Sequence, residues 1–473
     1  MIKQAVQPPD YMASVYGNTP AMRAANLPGM AAVGVRDLFP DIKPEIYLHG
    51  GDLSAIVKAT EEALDGVDMS MIKPLDRVNL LCSEHGFSIM GGEPYVEMLK
   101  TIKRVVEAKT GNENLRLRVA TYRGFREAEE VIEHYKLREH FNGKVSGLDC
   151  WDEGVPIETE IGTLYGIAKV YDCDWFIHAY YDDPREMYFH RMLHRALKAF
   201  VMNYARYETR SVFHMNFGNR SCAFIPKAIF DSAFVQERFA FACFLRFSPS
   251  GLIAVDADND LYAIDRRVTV NHLKDYGKVR ELMASVDECI AVWDGGRWGY
   301  YIHAGGVCFG VFINAALDPF DLENPGALSV FNAVNEYHGG PMLTVMQINP
   351  AIKAVVINQS WPGIVIQDVP MLAPTILVGR EQAEMYARDS ANPFFMDFAV
   401  TAETLGGAMG FAQRIAGTDK VMIFDGSFGN INCSPSLAQY LIDAAPEAGR
   451  RVDEELLPMW LKQRGIDPAE VQS

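Results

Sequence analysis

Hydrophobic and polar positions follow two patterns that alternate along most of the chain. Short apolar runs, such as residues 77–83 (RVNLLCS) and 174–181 (DWFIHAYY), predict buried β-strands. Longer stretches, such as 93–111 and 125–141, carry apolar residues every three or four positions and predict amphipathic helices. Because strands separated by helices are typical of βαβ units, we predict an α/β fold. It should have two α/β domains with largely parallel sheets and a ligand crevice between them.

The same pattern divides the chain into three parts. Residues 1–50 are rich in Pro, Gly and Met without a period, which predicts an irregular N-terminal arm that wraps the body or a partner subunit. Residues 51–265 are the predicted N-terminal α/β domain. Glycine and aromatic clusters within 247–267 interrupt the helical pattern and set the boundary. Residues 266–473 are the predicted C-terminal α/β domain, with a terminal helix.

Composition narrows the class of protein. The 473 residues are 49% hydrophobic, and 61 acidic against 44 basic side chains give a net charge of −17, which disfavours nucleic acid as a partner. No apolar run approaches the roughly 20 residues of a membrane span, and the first residues lack the apolar segment of a signal peptide. Eight cysteines are scattered without a C-x-x-C pair. We therefore expect a cytoplasmic protein with reduced thiols and no membrane partner.

One stretch, residues 190–214, raises a question about metal or cofactor binding. His190, His194 and Lys198 are four positions apart, along the edge of a helix predicted to begin with Asp183 as its N-cap and to run to about Tyr207. Histidines four apart can bind one metal ion, but the usual H-E-x-x-H form is missing here, since R-M-L lies between them. A ligand site and a plain helix border both remain open.

Polar residues directly follow several predicted strands. Glu84 and His85 follow the first strand of the N-terminal domain, and Tyr122 and Arg123 follow the second. Ligands of parallel sheets bind beyond the carboxyl ends of the strands, so these side chains should face the crevice. A guanidinium can hold a carboxylate through two hydrogen bonds, which makes Arg123 a candidate anchor for an acid. Arg297, in a glycine-rich and aromatic loop after a later strand, is a second candidate cation.

The order of several segments resembles that of the nickel-dependent lactate racemase family. The matching segments are 119–137 (VATYRGFREAEEVIEHYKL), 148–154 (LDCWDEG), 160–184 (EIGTLYGIAKVYDCDWFIHAYYDDP), a lysine followed sixteen residues later by a histidine, and 414–445 (RIAGTDKVMIFDGSFGNINCSPSLAQYLIDAA). The similarity spans most of the chain and rests on segment order. Members of that family interconvert the two hands of 2-hydroxy acids. They use a nickel pincer cofactor, a pyridinium tethered to a lysine through a thioamide.

The resemblance implies a role for each matching residue. Lys198 would tether the cofactor, His214 would bind the nickel, and Arg123 would lie close to the substrate. His190 or His194 would serve as one of the two bases that exchange the hydroxyl proton. The implied substrate is a small carboxylate.

The sequence departs from the family pattern in ways that favour other chemistry on the same scaffold. Tyr122 stands where the family has its catalytic histidine, and a tyrosine beside a cation can also act as an acid or base. The family has a lysine further along the chain, and Arg297 is the cation nearest to that position here; His85 would line the same cofactor crevice.

We expect an isomerase of the lactate racemase type that acts on a small 2-hydroxy acid or sugar acid. The alternatives are a metal-dependent hydro-lyase or isomerase without the pincer cofactor, and a catalytically silent homologue that binds a small acid or a partner. A homo-oligomer is also expected from the arm.

Overall fold

Two large mixed β-sheets form the body of the protein in the computed structural model. The structure describes residues 1–7, 20–83, 86–87, 90, 92–120, 125–182, 192–214, 221–294, 318, 320–323, 349–359, 369–388 and 394–471. The strands in these ranges are β1 (Ile2–Gln4), β2 (Ala31–Gly34), β3 (Val78–Ser83), β4 (Leu115–Ala120), β5 (Val145–Leu148), β6 (Gly154–Thr159), β7 (Gly162–Ile167), β8 (Trp175–Tyr181), β9 (Phe239–Ser248), β10 (Gly251–Asp258), β11 (Cys289–Asp294), β12 (Ile352–Gln359), β13 (Thr375–Val378), β14 (Val400–Ala402), β15 (Val421–Phe424) and β16 (Asn430–Cys433).

The N-terminal sheet has the strand order β10-β9-β8-β3-β4-β5. All neighbouring pairs are parallel except β10 with β9, which form an antiparallel hairpin. Every residue of β3 and β9 is buried, because helices and loops cover both faces of the sheet. This explains why these strands are continuous apolar runs and do not alternate with polar residues. A separate hairpin, β6 with β7, lies outside the sheet.

The C-terminal sheet has the order β1-β2-β16-β15-β11-β12-β13-β14. Its five strands from β15 to β14 are parallel, whereas β16 runs antiparallel to both of its neighbours. The prediction of an α/β fold with two largely parallel sheets is confirmed. A small apolar cluster on β11, β12 and β13 contains Val292, Val356 and Ile376. It packs against the helix at residues Leu405–Ala416.

The N-terminal arm is more regular than its composition indicates. Two of its segments, β1 and β2, pair with each other, and β2 also pairs with β16, so the arm completes one edge of the C-terminal sheet. The register places Ala31 opposite Cys433 and Gly34 opposite Asn430. A strand partner some 400 residues away leaves no local signal, which is why the sequence pattern predicts an irregular segment here.

The longer helices lie on both sides of the sheets. In the described ranges they are α1 (Ser54–Asp65), α2 (Glu93–Thr110), α3 (Phe125–His134), α4 (Tyr207–His214), α5 (Ser221–Phe230), α6 (Leu261–Ala284), α7 (Arg380–Ala387), α8 (Leu405–Ala416), α9 (Pro435–Arg451) and α10 (Leu457–Gln463). The predicted helix at 93–111 is confirmed as α2, which has Pro94 in its first turn and ends at Gly111 with φ +69°. None of the helices in these ranges combines the length and the apolar character needed to cross a membrane.

Helix α6 connects the two sheets. It begins at Asp260, whose carboxylate accepts a hydrogen bond from the Tyr262 backbone N–H, and it is buried along most of its length. Its first half packs against β9 and β10, and it also packs against α9 of the C-terminal part. The expected boundary at residues 265 and 266 therefore falls inside one continuous helix.

The predicted helix from Asp183 to about Tyr207 is wrong in its described part. Residues 195–200 form a short 3₁₀ helix, and the regular helix α4 begins only at Tyr207. Met192 and His194 have φ values of +53° and +54°, in the left-handed region, so no helix can pass through them. His194 and Lys198 are therefore not neighbours on one helix face.

Candidate functional site

The carboxyl edge of the N-terminal sheet carries a buried ion pair. Asp182 directly follows β8 and Arg246 lies near the end of β9, the next strand in the sheet. The Nε of Arg246 donates to the Oδ2 of Asp182 at 2.9 Å, and both side chains are almost fully buried. The backbone N–H of Phe247 donates to the other carboxylate oxygen of Asp182. The strand ends thus position one carboxylate and one guanidinium where a parallel sheet binds its ligands.

The other donors of Arg246 are also occupied. Its Nη1 donates to Asp256 at 2.7 Å, and its Nη2 donates to the backbone carbonyl of Arg267 at 2.9 Å. Arg267 in turn makes two hydrogen bonds to Asp256. Since each nitrogen of the Arg246 guanidinium makes a hydrogen bond within the protein, this side chain can hold Asp182 in place.

A buried histidine faces the same carboxylate. His272, on α6, has its Nε2 3.5 Å from the Oδ2 of Asp182, and neither side chain is exposed. That nitrogen makes no hydrogen bond with any described residue. The other ring nitrogen, Nδ1, lies 3.3 Å from the sulfur of Met192. A thioether is a weak acceptor, so neither ring nitrogen of His272 makes a strong hydrogen bond with the described residues.

Polar side chains also gather at the ends of β3 and β8. Ser83, the last residue of β3, accepts a hydrogen bond from the Nδ2 of Asn203 at 2.9 Å, and its hydroxyl is 3.5 Å from that of Tyr181. All three residues are buried. Hydroxyl and amide groups of this kind can orient the oxygens of a small substrate if a ligand reaches them.

Two acidic side chains end neighbouring strands of the C-terminal sheet. Asp294 is the last residue of β11, and Asp425 directly follows β15. Burial raises the pKa of both carboxyls above the ordinary value for aspartate. Asn358 donates to Asp294 at 2.6 Å, and Asn432 donates to Asp425 at 2.6 Å. The second carboxyl edge thus carries a pair of buried acids that are fixed by side-chain amides.

The N-terminal arm reaches this second edge. The Nε of Arg23 donates to the Oδ2 of Asp294 at 3.1 Å, and the backbone N–H of Ala24 donates to the same oxygen at 2.6 Å. Further along the edge, Val6 and Asn432 exchange two hydrogen bonds. The arm therefore brings a cation next to the buried acids and covers part of the edge.

The carboxyl edges of the two sheets meet at one point. The Gly429 backbone N–H, in the loop after β15, donates to the carbonyl of Pro249 in the turn after β9 at 2.9 Å. The rings of Phe247 and Phe428 are 5.7 Å apart at the same place. Groups on either edge can therefore contribute to one site between the sheets.

His194 contacts the beginning of helix α6. Its Nδ1 is 3.4 Å from the Oδ2 of Asp265, and its ring packs edge-on against Tyr262 at 5.6 Å. Asp265 and Tyr262 belong to the first turns of α6, whereas His272 lies two turns further along. An α-helix rises about 1.5 Å per residue. Asp265, which His194 contacts, and His272 are therefore about 10 Å apart along α6.

Lys198 lies in the short 3₁₀ helix and only 7% of it is exposed. The same turn is fixed to the centre of the N-terminal sheet by His178, whose Nε2 is 3.3 Å from the carbonyl of Ala196 and whose Nδ1 is 2.8 Å from the hydroxyl of Tyr204. Burial lowers the pKa of His178 to about 3, so this histidine is neutral and structural. Lys198 is thus held in packed surroundings.

The remaining predicted site residues lie outside the described part of the chain. They are His85, Tyr122, Arg123, His190 and Arg297. The backbone of His214 is described as the last residue of α4, but its side chain is not. The arrangement that the sequence predicts around these residues therefore stays a prediction.

Comparisons with known proteins yield structural likenesses but no relative by sequence. No protein-family model matches the chain, and no curated protein matches it. The chain is similar to the solved structure of the lactate racemase apoprotein from Thermoanaerobacterium thermosaccharolyticum. The two share 13% sequence identity at a TM-score of 0.45, and the match covers 79% of this chain and 92% of that chain. At this level the likeness says nothing about substrate, cofactor or mechanism.

Lys198, which the sequence resemblance implies as the tether of a cofactor, is almost fully buried. The backbone carbonyl of Lys198 accepts hydrogen bonds from the N–H groups of Val201 and Met202, which fix the turn that contains it. Within the described ranges, no three His, Cys, Asp or Glu side chains are grouped so that they could hold a metal ion. We therefore assign no catalytic step to a group on Lys198.

Sequence reasoning overlooked Asp182, Arg246, His272 and Asp294. Asp182 and Asp294 could have been found, because each comes at the end of a predicted strand, as Glu84 and Arg123 do. His272 carries no such signal, since it lies inside a long helix and meets Asp182 only through tertiary packing.

Proposed function

We propose that this protein is an isomerase that inverts the configuration of a small 2-hydroxy acid or sugar acid at the junction of the two carboxyl edges. The observation that carries the proposal is the contact of His272 with Asp182 at the edge of the N-terminal sheet. The buried acids Asp294 and Asp425 lie at the corresponding edge of the C-terminal sheet. The resemblance of the segment order to the lactate racemase family supports the same class of reaction.

Inversion by this route removes a proton from one face of C2 and returns a proton to the other; we propose His272 for the removal and the buried acid Asp294 for the return. His272 suits the removal because its Nε2 makes no hydrogen bond with the described residues and faces a carboxylate that can stabilise an imidazolium. Asp182 and Arg246 act as positioning residues, since their mutual hydrogen bond fixes that carboxylate. Arg123, which follows β4 in the sequence, is the cation that we propose for the substrate carboxylate.

The test is to incubate the purified protein with enantiomerically pure 2-hydroxy acids and sugar acids in D₂O. Chiral chromatography follows inversion, and NMR follows deuterium at C2. We expect inversion with incorporation of deuterium, because a proton that His272 removes from C2 exchanges with solvent. The variant His272→Gln should lose at least 100-fold in kcat. His140→Gln, a change at an exposed histidine, is the matched control and should leave the rate unchanged.

The variant Lys198→Met separates this route from the tethered cofactor. It should keep the activity, and peptide mapping of protein purified from its own host should find Lys198 unmodified. An added mass on Lys198, together with inversion that retains protium at C2 and is lost in Lys198→Met, would overturn the route through His272.

A further inference from the structure

Helix α8 has apolar side chains on both of its faces. The buried face packs on the C-terminal sheet through four apolar residues: Leu405, Ala408, Met409 and Ala412. The outer face also carries apolar groups, since Phe411 is 38% exposed and Ile415 is 43% exposed. A helix that only covers a sheet has polar side chains on its outer face. The outer face of α8 is therefore suited to a second contact.

Three glycines lie on the outer half of the same helix, at positions 406, 407 and 410. A methyl group at Gly406 would meet no atom of the described chain within 4 Å. At Gly410 the nearest atom would be Nη1 of Arg414, at 3.6 Å. Packing within one copy of the chain therefore does not require glycine at these two positions. Because glycine is a poor helix former, its repeated use here favours the close approach of a second backbone.

Opposite charges lie at the two ends of the outer face. Glu403 comes directly before Thr404, the N-cap of α8, and Arg414 lies in the last turn. Both charged residues are exposed, and neither forms an ion pair with another residue in the described ranges. The guanidinium of Arg414 lies 5.8 Å from the centre of the Phe411 ring. The outer face is thus negative at its beginning, apolar in its middle and positive at its end.

We propose that the outer face of α8 binds the same face of a second copy of the chain, with the two helices antiparallel across a two-fold axis. In a two-fold contact each surface must complement itself. An antiparallel crossing at the level of residues 408–409 places Glu403 next to Arg414 of the partner subunit. The same crossing places the Phe411 ring over Gly407 of the partner subunit, which has no side chain to block it. One arrangement therefore matches both charge and shape, which favours a second copy over an unrelated protein.

The size of the contact indicates how strong the dimer is. Helix α8 has 12 residues and is therefore about 18 Å long. Stable dimers bury about 800 Å² on each partner, which is more than one crossing of two short helices supplies. We expect a reversible dimer with a Kd of roughly 1–100 μM.

The experiment is analytical ultracentrifugation of the full chain at concentrations below and above that Kd. Arg414→Glu should raise the Kd at least tenfold, because it places two like-charged pairs in each dimer. Glu403→Arg should do the same. The double variant Glu403→Arg with Arg414→Glu should return the Kd to within about threefold of the wild type, since the exchanged charges again meet their opposites. Lys58→Glu, the same change of charge on the exposed face of α1, is the matched control and should leave the Kd unchanged.

A glycine variant separates the contact from the stability of the helix. Gly410→Leu places a large side chain between the two helices and should raise the Kd at least tenfold. The same change should not lower the Tm of the chain, because leucine is a better helix former than glycine and the site has room for a side chain. A variant that merely misfolds would lower the Tm as well.

A chain that stays monomeric at the highest concentration would overturn the proposal. So would a dimer whose Kd does not change in Arg414→Glu or in Gly410→Leu, because the interface would then lie elsewhere. A double charge variant that dimerises no better than the two single variants would contradict the pairing of Glu403 with Arg414 of the partner subunit.

Discussion

The carboxylate of Asp182 and the guanidinium of Arg246 form a buried ion pair across two adjacent parallel strands. Two charges in such surroundings stabilise each other only while both are present, since removal of one leaves the other desolvated without compensation. The same pair fixes the carboxylate that His272 faces. Stability and the proposed chemistry therefore depend on one contact.

The substitution Arg246→Met should reduce the free energy of unfolding by about 3–5 kcal/mol, because it leaves Asp182 buried without its cation. Urea denaturation followed by circular dichroism measures the loss. The double variant Asp182→Asn with Arg246→Met should recover part of that energy, since the unpaired charge is then absent. A loss below about 1 kcal/mol in the single variant would mean that Asp182 does not depend on Arg246.

Asp275 should make the stability of the protein depend on pH. Burial raises the pKa of this carboxyl to about 7, and its Oδ2 makes no hydrogen bond with the described residues. Because the pKa in the folded state is the higher one, stability is greatest when the group is protonated. That contribution is lost as pH rises from the ordinary range of an aspartate through about 7. The loss is roughly 4 kcal/mol at most, at about 1.4 kcal/mol per pKa unit.

The variant Asp275→Asn removes this titration. Free energies of unfolding should be measured by urea denaturation at pH 5, 6, 7 and 8. The stability of the variant relative to the wild type should increase as pH rises. The difference between the two proteins isolates Asp275 from histidines that titrate in the same range. A difference that stays constant across these pH values would contradict the raised pKa.

Arg23 should hold the N-terminal arm on the C-terminal sheet. In Arg23→Ala, Asp294 loses its cationic partner and keeps Asn358 and the Ala24 N–H, so the arm should open more often. Hydrogen exchange measured by mass spectrometry should show amides of residues 20–30 exchanging at least tenfold faster. Arg36→Ala, at an exposed arginine of the same arm, should leave these rates unchanged. Equal exchange rates in Arg23→Ala and Arg36→Ala would show that Arg23 does not hold the arm on the sheet.

Asp265 should fix the turn that contains His194 and Lys198. Its Oδ1 accepts a hydrogen bond from the Ala196 N–H at 2.9 Å. Asp265→Ala leaves this buried donor unsatisfied and should cost about 1–3 kcal/mol in thermal or chemical denaturation. Asp265→Asn keeps an acceptor oxygen and should lose less. Equal losses in the two variants would show that the hydrogen bond to Ala196 does not matter.

The strands were predictable because burial leaves a direct mark on the sequence. The runs at 77–83 and 174–181 correspond to β3 and β8 within one residue, as both faces of these strands are covered. The helix predicted through His194 failed for a tertiary reason. Apolar residues recur there at helical spacing, but Asp265 and His178 hold the chain in a tight turn instead.

The candidate site was less predictable than the fold. The polar residues at strand ends that the sequence singled out, such as Arg123, belong to loops outside the described ranges. Asp182 and His272 are 90 positions apart and come together only because α6 returns across the end of β8. No local pattern encodes such a contact.

The pairing of β2 with β16 also constrains how the chain can be synthesised and divided. During translation, the N-terminal sheet can assemble from residues 78–258, whereas the first strands must wait for a partner that is made almost last. A fragment that starts at residue 266 would contain β16 without its neighbour β2. It would expose a bare strand edge, the kind of surface that recruits other chains into aggregates.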